Sequence, residues 1–132
     1  MDYSAPTYEV EIHVQKDLLL LVAKGEYSLP KTNACFELAI DQALLHKKST
    51  LLIDGTNVTG TVPFMDRYYF GEHLAAYRAQ HALHAVTKIA LLGKEPVLDK
   101  ERFGETVAVN RGTNVRVFTD SEAAATWLQA DT

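Results

Sequence analysis

Apolar and polar residues at the start of the chain follow two patterns that predict neighbouring strands. Residues 10–14 alternate between apolar and polar, as a half-buried strand does. Residues 18–23 form a continuous apolar run, which is typical of a strand covered on both faces. Because only residues 15–17 separate the two runs, we expect an antiparallel hairpin. Gly25 and Pro30 then predict the end of the second strand.

Apolar residues at helical spacing predict a first helix over residues 32–48. Thr32 or Asn33 is the expected N-terminal cap, and Lys47 and Lys48 follow where the helix dipole favours cations. The apolar stripe of this helix consists of Phe36, Ala39, Ile40, Ala43 and Leu44.

The same order of strand and helix is predicted again further along the chain. Residues 50–53 indicate a buried strand that ends at Asp54 and Gly55, and residues 55–61 indicate a polar loop. Pro63 suits the first turn of the next helix. The inward stripe of that helix consists of Arg67, Phe70, Leu74, Tyr77 and His81.

The last part of the chain predicts two more strands and two more helices. The strands cover residues 87–92 and 115–118, and the helix between them covers residues 101–111 and ends at Gly112. Thr119 and Glu122 fit a capping box for the final helix. The inward residues of that helix are Ala124, Trp127 and Leu128, and we expect Trp127 to be largely buried.

Strands that alternate with helices predict an α/β fold. Crossovers of this kind produce a mixed, mostly parallel sheet, and the first hairpin adds an antiparallel edge. We expect about four helices and a single domain over residues 1–132.

Composition and charge narrow the classes of function. A net charge of -4 argues against nucleic acid as a partner, because phosphate binding needs a basic surface. The single Cys cannot form an internal disulfide, and no apolar run is long enough to span a membrane. No secretory signal precedes residue 10. We therefore expect a cytoplasmic protein. The residues imply no cofactor.

The sequence resembles the SpoIIAA-like branch of small bacterial STAS-type proteins. The resemblance rests on residues 51–54, 58–60, 88–90, 103–108, 110–112 and 117–120, with Ala124, Trp127 and Leu128. It implies a single STAS (SpoIIAA-like) fold and a non-enzymatic regulatory module like the anti-sigma-factor antagonists, which bind another protein. In those antagonists a Ser or Thr at the start of the second helix is phosphorylated to switch partner binding. Their Asp-Ser pair is absent here, where Thr59-Gly60-Thr61 stands in its place.

A polar segment gives the first candidate site, a phosphoswitch or anion-binding loop. Its residues are Asp54, Asn57, Thr59 and Thr61. A loop between a strand and a helix can hold an anion on backbone amides, and a Thr there can carry a phosphate. The glycines at 55 and 60 have the spacing of a nucleotide-binding loop, but the Lys that such a loop needs is missing. The structural alternative is a turn in which Asp54 and Asn57 bond nearby amides.

Aromatic residues and an Arg on the second predicted helix give the other candidate site, a partner-binding face. The residues are Arg67, Tyr68, Tyr69 and Tyr77, and Tyr and Arg are favoured at protein interfaces. The structural alternative is that these rings cover the sheet.

Other reactive residues carry less specific signals. Cys35 in the first helix is either a dipole-activated thiol or a small core residue. The histidines His73, His81 and His84 lack a metal-binding motif, so we expect no metal site. Arg111 either ends a helix or faces the loop after Ile53.

The resemblance and the candidate residues together suggest three functions. The main prediction is a module that binds another protein, with a homodimer as one arrangement. The alternative is a carrier or sensor of a small apolar or anionic ligand, because SpoIIAA-like proteins also resemble the CRAL-TRIO domains in architecture. An enzyme that uses Asp54 with a loop Thr is the third.

Overall fold

A computed structural model describes residues 7–81, 85–94 and 114–130. Five strands form one sheet in the order β1-β2-β3-β4-β5. The strands are β1 (Glu9–Val14), β2 (Leu19–Glu26), β3 (Thr50–Thr59), β4 (Lys88–Leu92) and β5 (Val115–Phe118). The described helices are α1 (Leu29–Leu45), α2 (Phe64–His81) and α3 (Ser121–Gln129). The predicted helix over residues 101–111, with Arg111 and Gly112, lies outside the described residues, as does His84.

The sheet has the predicted mixed topology. β1 pairs antiparallel with β2, and β2, β3, β4 and β5 pair parallel in sequence order. The strands β3, β4 and β5 therefore lie side by side, from the centre of the sheet to one edge. This confirms the α/β fold class.

Helices cover the two faces of the sheet unequally. On one face, called here the α1/α2 face, the main core contains residues such as Leu21, Ile53 and Ile89 packed with Phe36 and Ile40 of α1. On the other face, called the α3 face, a smaller cluster joins Ala90 of the sheet to Ala124 and Leu128 of α3.

The prediction of a polar loop over residues 55–61 is wrong, because β3 continues to Thr59. Lys24, Gly25 and Glu26 of β2 pair with Asn57, Val58 and Thr59, so one side of this polar segment is paired within the sheet. Gly25 also continues its strand instead of ending it. Its φ is +146°, and a Cβ there would lie 3.1 Å from the Tyr8 ring, so the glycine permits this close packing.

One extra residue in β3 disturbs the pairing with β2. Val22 pairs with Asp54 and Lys24 pairs with Asn57, which leaves Ala23 opposite both Gly55 and Thr56. This is a β-bulge, and it shifts the alternation of side chains by one residue. Val58 is thereby buried in the main core.

The predicted helix caps are displaced by one to five residues. Ser28, and not Thr32 or Asn33, caps α1: its side chain accepts a hydrogen bond from the backbone N–H of Lys31, and Pro30 lies in the first turn. Asp120, and not Thr119, caps α3: its Oδ1 accepts from the N–H of Glu122 at 3.1 Å. In both cases the residue immediately before the first helical turn is the cap.

Hydrogen bonds from Lys88 of β4 join the C-terminal end of α3 to the sheet. Its side chain is only 7% exposed, and its Nζ donates to the carbonyl oxygens of Trp127, at 2.8 Å, and Ala130. The Trp127 ring lies between two cations, with Lys88 Nζ 5.3 Å and the Arg116 guanidinium carbon 5.7 Å from its centre. Trp127 is partly buried and packs against the cluster on the α3 face.

Candidate partner-binding site

The carboxyl ends of β2 and β3 meet the amino ends of α1 and α2 at one end of the sheet. Glu26 and Thr59 are the last residues of their strands and pair with each other. The backbone N–H of Tyr27 donates to the Thr59 carbonyl at 2.8 Å. Gly60, with a φ of +104°, turns the chain towards α2. Open α/β sheets commonly bind their ligands at this end.

The four residues of the predicted anion-binding loop do not form one loop. Asp54 lies in the middle of β3, where its Oδ1 accepts from the N–H of Thr56 at 3.0 Å and from the Thr56 hydroxyl at 2.7 Å. These bonds bridge the bulge. Asn57 is exposed within the strand, Thr59 is exposed at its end, and Thr61 is exposed in the following turn. Since a strand rises about 3.3 Å per residue, Asp54 is roughly 15 Å from Thr59.

The predicted partner face divides into two surfaces. Arg67 is partly buried, and its Nη1 donates to the Val62 carbonyl at 3.0 Å. The hydroxyl of Tyr77 donates to Asp41 Oδ1 of α1 at 2.7 Å, which joins the two helices. Tyr68 is partly buried and Tyr69 is exposed on α2, with their rings edge to face at 5.8 Å. Of the four predicted residues, only Tyr69 is exposed.

Apolar side chains surround the two tyrosines and form what we call the α2 patch. The patch consists of Phe64, Met65, Tyr68 and Tyr69. Phe64 is 65% exposed, Met65 47% and Tyr69 50%. The two tyrosines follow Phe64 and Met65 by three to five residues along the first turns of α2, so the two pairs are neighbours on the helix surface. The sequence analysis missed Phe64 and Met65, although both are apolar residues that fall off the inward stripe of the helix.

A cavity of about 110 Å³ lies beneath the start of α2, between this helix, α1 and the sheet. Most of its lining is apolar, with Phe36, Ile53, Val58, Phe70 and Val117 among the lining residues. An apolar cavity of this size is smaller than the roughly 150 Å³ that holds a benzene molecule in an engineered protein. It therefore has room for only a few heavy atoms.

Polar groups in the cavity wall are bonded to one another. The hydroxyl of Tyr27 donates to Asp66 Oδ2 at 3.0 Å, and the hydroxyls of Tyr8 and Thr32 lie 2.8 Å apart. Burial, followed by the hydrogen bond to Asp66, raises the pKa of Tyr27 above its ordinary range. Burial also raises the pKa of Tyr8. Both phenols are held as neutral donors.

Cys35 lines the same cavity and is buried. Burial raises the pKa of its thiol to about 12. A thiol with such a pKa is almost entirely protonated at neutral pH and is a poor nucleophile. The interpretation of Cys35 as a dipole-activated thiol is therefore wrong, because desolvation outweighs the helix dipole in the second turn of α1.

The two described histidines of α2 contact Glu37 of α1 and Tyr77 of α2. The Nε2 of His73 lies 2.9 Å from Glu37 Oε2, and the His81 ring lies 4.3 Å from the ring of Tyr77. Within the described ranges, no group of three or more His, Cys, Asp or Glu side chains could hold a metal ion. No helix in the described part of the chain is long and apolar enough to cross a membrane.

The strand order, the antiparallel edge and the placement of helices define the SpoIIAA-like fold of STAS domains. Two solved structures share it. One is an anti-sigma factor antagonist from Mycobacterium paratuberculosis, with a TM-score of 0.59 and 14% identity over 92% of this chain and 94% of that one. The other is an uncharacterised DUF3478-family protein with a SpoIIAA-like fold from Shewanella loihica PV-4, with a TM-score of 0.54 and 18% identity over 97% and 98% of the two chains. At these identities the likeness establishes the fold. No protein-family model and no curated protein matches the sequence.

Proposed function

We propose that this protein is a non-enzymatic regulatory module that binds another protein through the α2 patch. The observation that carries the proposal is the exposure of Phe64, Met65 and Tyr69 side by side on one helix. Clustered exposed apolar side chains mark interaction sites, because leaving them in water is unfavourable and burial against a partner removes that cost. Tyrosines are also among the residues that contribute most to binding at interfaces.

A matched pair of variants tests the patch. Phe64→Ser removes one exposed apolar side chain from the patch, whereas Leu45→Ser removes another that is 68% exposed at the end of α1. We expect affinity capture from the native host, followed by quantitative mass spectrometry, to recover the same partner with the wild type and Leu45→Ser. Recovery should fall about tenfold with Phe64→Ser. Equal recovery with Phe64→Ser would contradict the proposal.

Phosphorylation at the turn before α2 is the form of regulation that the resemblance to the antagonists suggests. Thr59 and Thr61 are exposed and precede the patch by a few residues. A phosphate there adds almost two negative charges beside an apolar surface that a partner must desolvate. The proposed consequence is weaker binding of the partner when Thr61 is phosphorylated.

Glutamate variants separate regulation from damage to the fold. Thr61→Glu changes an exposed turn residue, so we expect its free energy of unfolding to stay within about 0.5 kcal/mol of the wild type. Thr59→Glu places a second carboxylate opposite Glu26, and we expect it to be less stable by up to about 1 kcal/mol. Thr61→Glu should reduce partner capture, while Thr61→Val should not. Unchanged capture by Thr61→Glu would count against the switch.

The cavity supports a second candidate function, the binding of a very small apolar ligand. Its aromatic lining and the hydroxyls of Tyr8 and Tyr27 suit a molecule with one polar group. Its volume is below the roughly 300 Å³ at which ordinary ligand pockets begin, and this favours the protein-binding function. Native mass spectrometry of the protein purified from its host tests the alternative, which predicts a retained mass above that of the bare chain.

A further inference from the structure

Strand β1 forms an edge of the sheet with one side unpaired. All six of its residues pair with β2 on the inner side, and no other described strand pairs with its outer side. The backbone N–H and C=O groups along such an edge are available to another strand. The opposite edge, β5, offers only four residues.

The side chains of β1 separate into a charged row and an apolar row. Val10 and Ile12 pack partly against the main core, and Val14 continues their row with 48% of its surface exposed. By alternation, Glu11 and His13 belong to the α3 face. Their side chains lie 3.9 Å apart, and both are at least half exposed.

Symmetry restricts how two copies of β1 can pair. A two-fold axis perpendicular to the sheet makes the strands antiparallel and keeps the same face of both copies on the same side. Directly opposite residues must then belong to the same row. The axis therefore lies midway between the two copies of one residue, which we call the centre of the register. The possible centres within the strand interior are Val10, Glu11, Ile12 and His13.

Charge selects one of these four registers. A centre at Val10 brings Glu9 opposite Glu11 of the second copy, and a centre at Glu11 brings two Glu11 side chains together. A centre at His13 brings its own imidazoles together. A centre at Ile12 instead puts each Glu11 opposite a His13, twice over, and avoids every pair of like charges in the strand.

We propose that β1 pairs with β1 of a second copy of this chain, antiparallel and centred on Ile12. The contact joins the two five-stranded sheets into one continuous ten-stranded sheet. Charged side chains on an edge strand normally oppose such pairing. Here they oppose the alternative registers and favour this one. Val14 is covered by Val10 of the second copy in the same register, which removes an exposed apolar side chain from water.

Cysteine cross-linking tests the register directly. Directly opposite residues in an antiparallel pair have Cα atoms about 4.5–5.5 Å apart, within the range that a disulfide spans, whereas two Glu11 positions are separated diagonally by more than about 7 Å. We expect an equimolar mixture of Glu11→Cys and His13→Cys to form a disulfide-linked dimer on mild oxidation. Each variant alone should form little. Cys35 is buried and does not compete, and the wild type serves as the control.

Charge variants test the contact without a cross-link. Sedimentation equilibrium of the wild type should give a dimer, and Glu11→Lys should weaken the dimer about tenfold, because it places an ammonium group instead of a carboxylate opposite each His13 imidazole. The double variant Glu11→Lys with His13→Glu should restore dimerisation. Glu122→Lys, the same charge change on exposed α3, should have no effect.

Three outcomes would overturn the proposal. They are a wild type that remains monomeric at millimolar concentration, a mixture of cysteine variants that cross-links no better than either variant alone, and a double variant that stays as weak as Glu11→Lys. A monomeric wild type would mean that β1 does not pair with a second copy of this chain. The α2 patch is not part of the contact, so failure here leaves the proposed function standing.

Discussion

At the scale of single residues, Lys88 is one of two charged side chains that are buried among the described residues. Its charge is almost fully buried, which is tolerated only where hydrogen bonds replace those lost from water. The two acceptors are carbonyl oxygens at the C-terminal end of α3, where the helix dipole is negative. The contact therefore gives a charged donor to the last carbonyls of the helix, of which that of Trp127 also accepts from the backbone N–H of Ala130 at 3.3 Å.

We expect Lys88→Met to lower the free energy of unfolding by about 2 kcal/mol, because hydrogen bonds to a charged group are worth about 1.5–3 kcal/mol. Methionine keeps most of the apolar length of the side chain, so the loss reports the ammonium group. Urea denaturation followed by Trp127 fluorescence measures it. Lys24→Met, at an exposed lysine of β2, is the control and should cost less than about 0.5 kcal/mol.

At the scale of elements, the ends of helices and strands depend on contacts that the local sequence does not contain. α1 begins at Leu29 because Ser28 caps it and Tyr8, from the other side of the hairpin, holds its first turn through Thr32. The sequence predicted the apolar stripe of this helix correctly and its start three residues late. The stripe is a periodic signal over many residues, whereas the start depends on one hydrogen bond among several candidate hydroxyls.

The cap of α3 gives a direct comparison between two neighbouring residues. We expect Asp120→Ala to cost about 1 kcal/mol, since the Asp120 carboxylate accepts from the N–H of Glu122 and also favours the positive end of the helix. Thr119→Ala should cost little. Thermal or urea unfolding of both variants decides between the cap in the structure and the capping box predicted from sequence. The reverse order of the two effects would support the capping box.

β3 explains why the sequence predicted an anion-binding loop where the structure has a strand. Its second half is polar, with glycine and asparagine, and such residues are depleted in strands. Pairing with β2 and the burial of Val58 outweigh these preferences.

Tyr68 and Tyr69 were predicted as partner-facing from residue type alone. The division of that predicted face arises because Arg67 and Tyr77 lie on the side of α2 that contacts the rest of the fold.

At the scale of the whole molecule, the core holds several weak acids in their neutral form. Burial raises the pKa of Cys35, of Tyr8 and of Tyr27. In the unfolded chain these groups are in water and lose their protons at their ordinary values. The unfolded state therefore binds fewer protons than the folded state at alkaline pH, and the free energy of unfolding falls as pH rises.

Cys35 isolates one part of this alkaline effect. Its thiol has an ordinary pKa near 9 and a folded value of about 12, so its contribution is fully present below pH 9 and is lost as pH rises towards 12. By pH 10 the loss should be about 1.4 kcal/mol. We expect urea denaturation of the wild type and Cys35→Ala, with reductant present, to give a constant difference between pH 6 and 8 and a converging one from pH 9 to 10. Parallel curves up to pH 10 would contradict this assignment.

The bulge in β3 has a consequence for how the length of this chain can vary. The two residues opposite Ala23 give the segment between Ile53 and Val58 an even number of residues, four, and that parity decides which face Val58 occupies. Deletion of one of the two residues opposite Ala23 would remove the bulge and leave three residues between Ile53 and Val58, so regular alternation alone would keep Val58 on the core face. Deletion of two residues would turn Val58 towards the α3 face in a strand without a bulge. Relatives of this protein that keep the same core should therefore either keep the bulge or lack one residue in this segment, so a gap of one in an alignment here is a more credible placement than a gap of two.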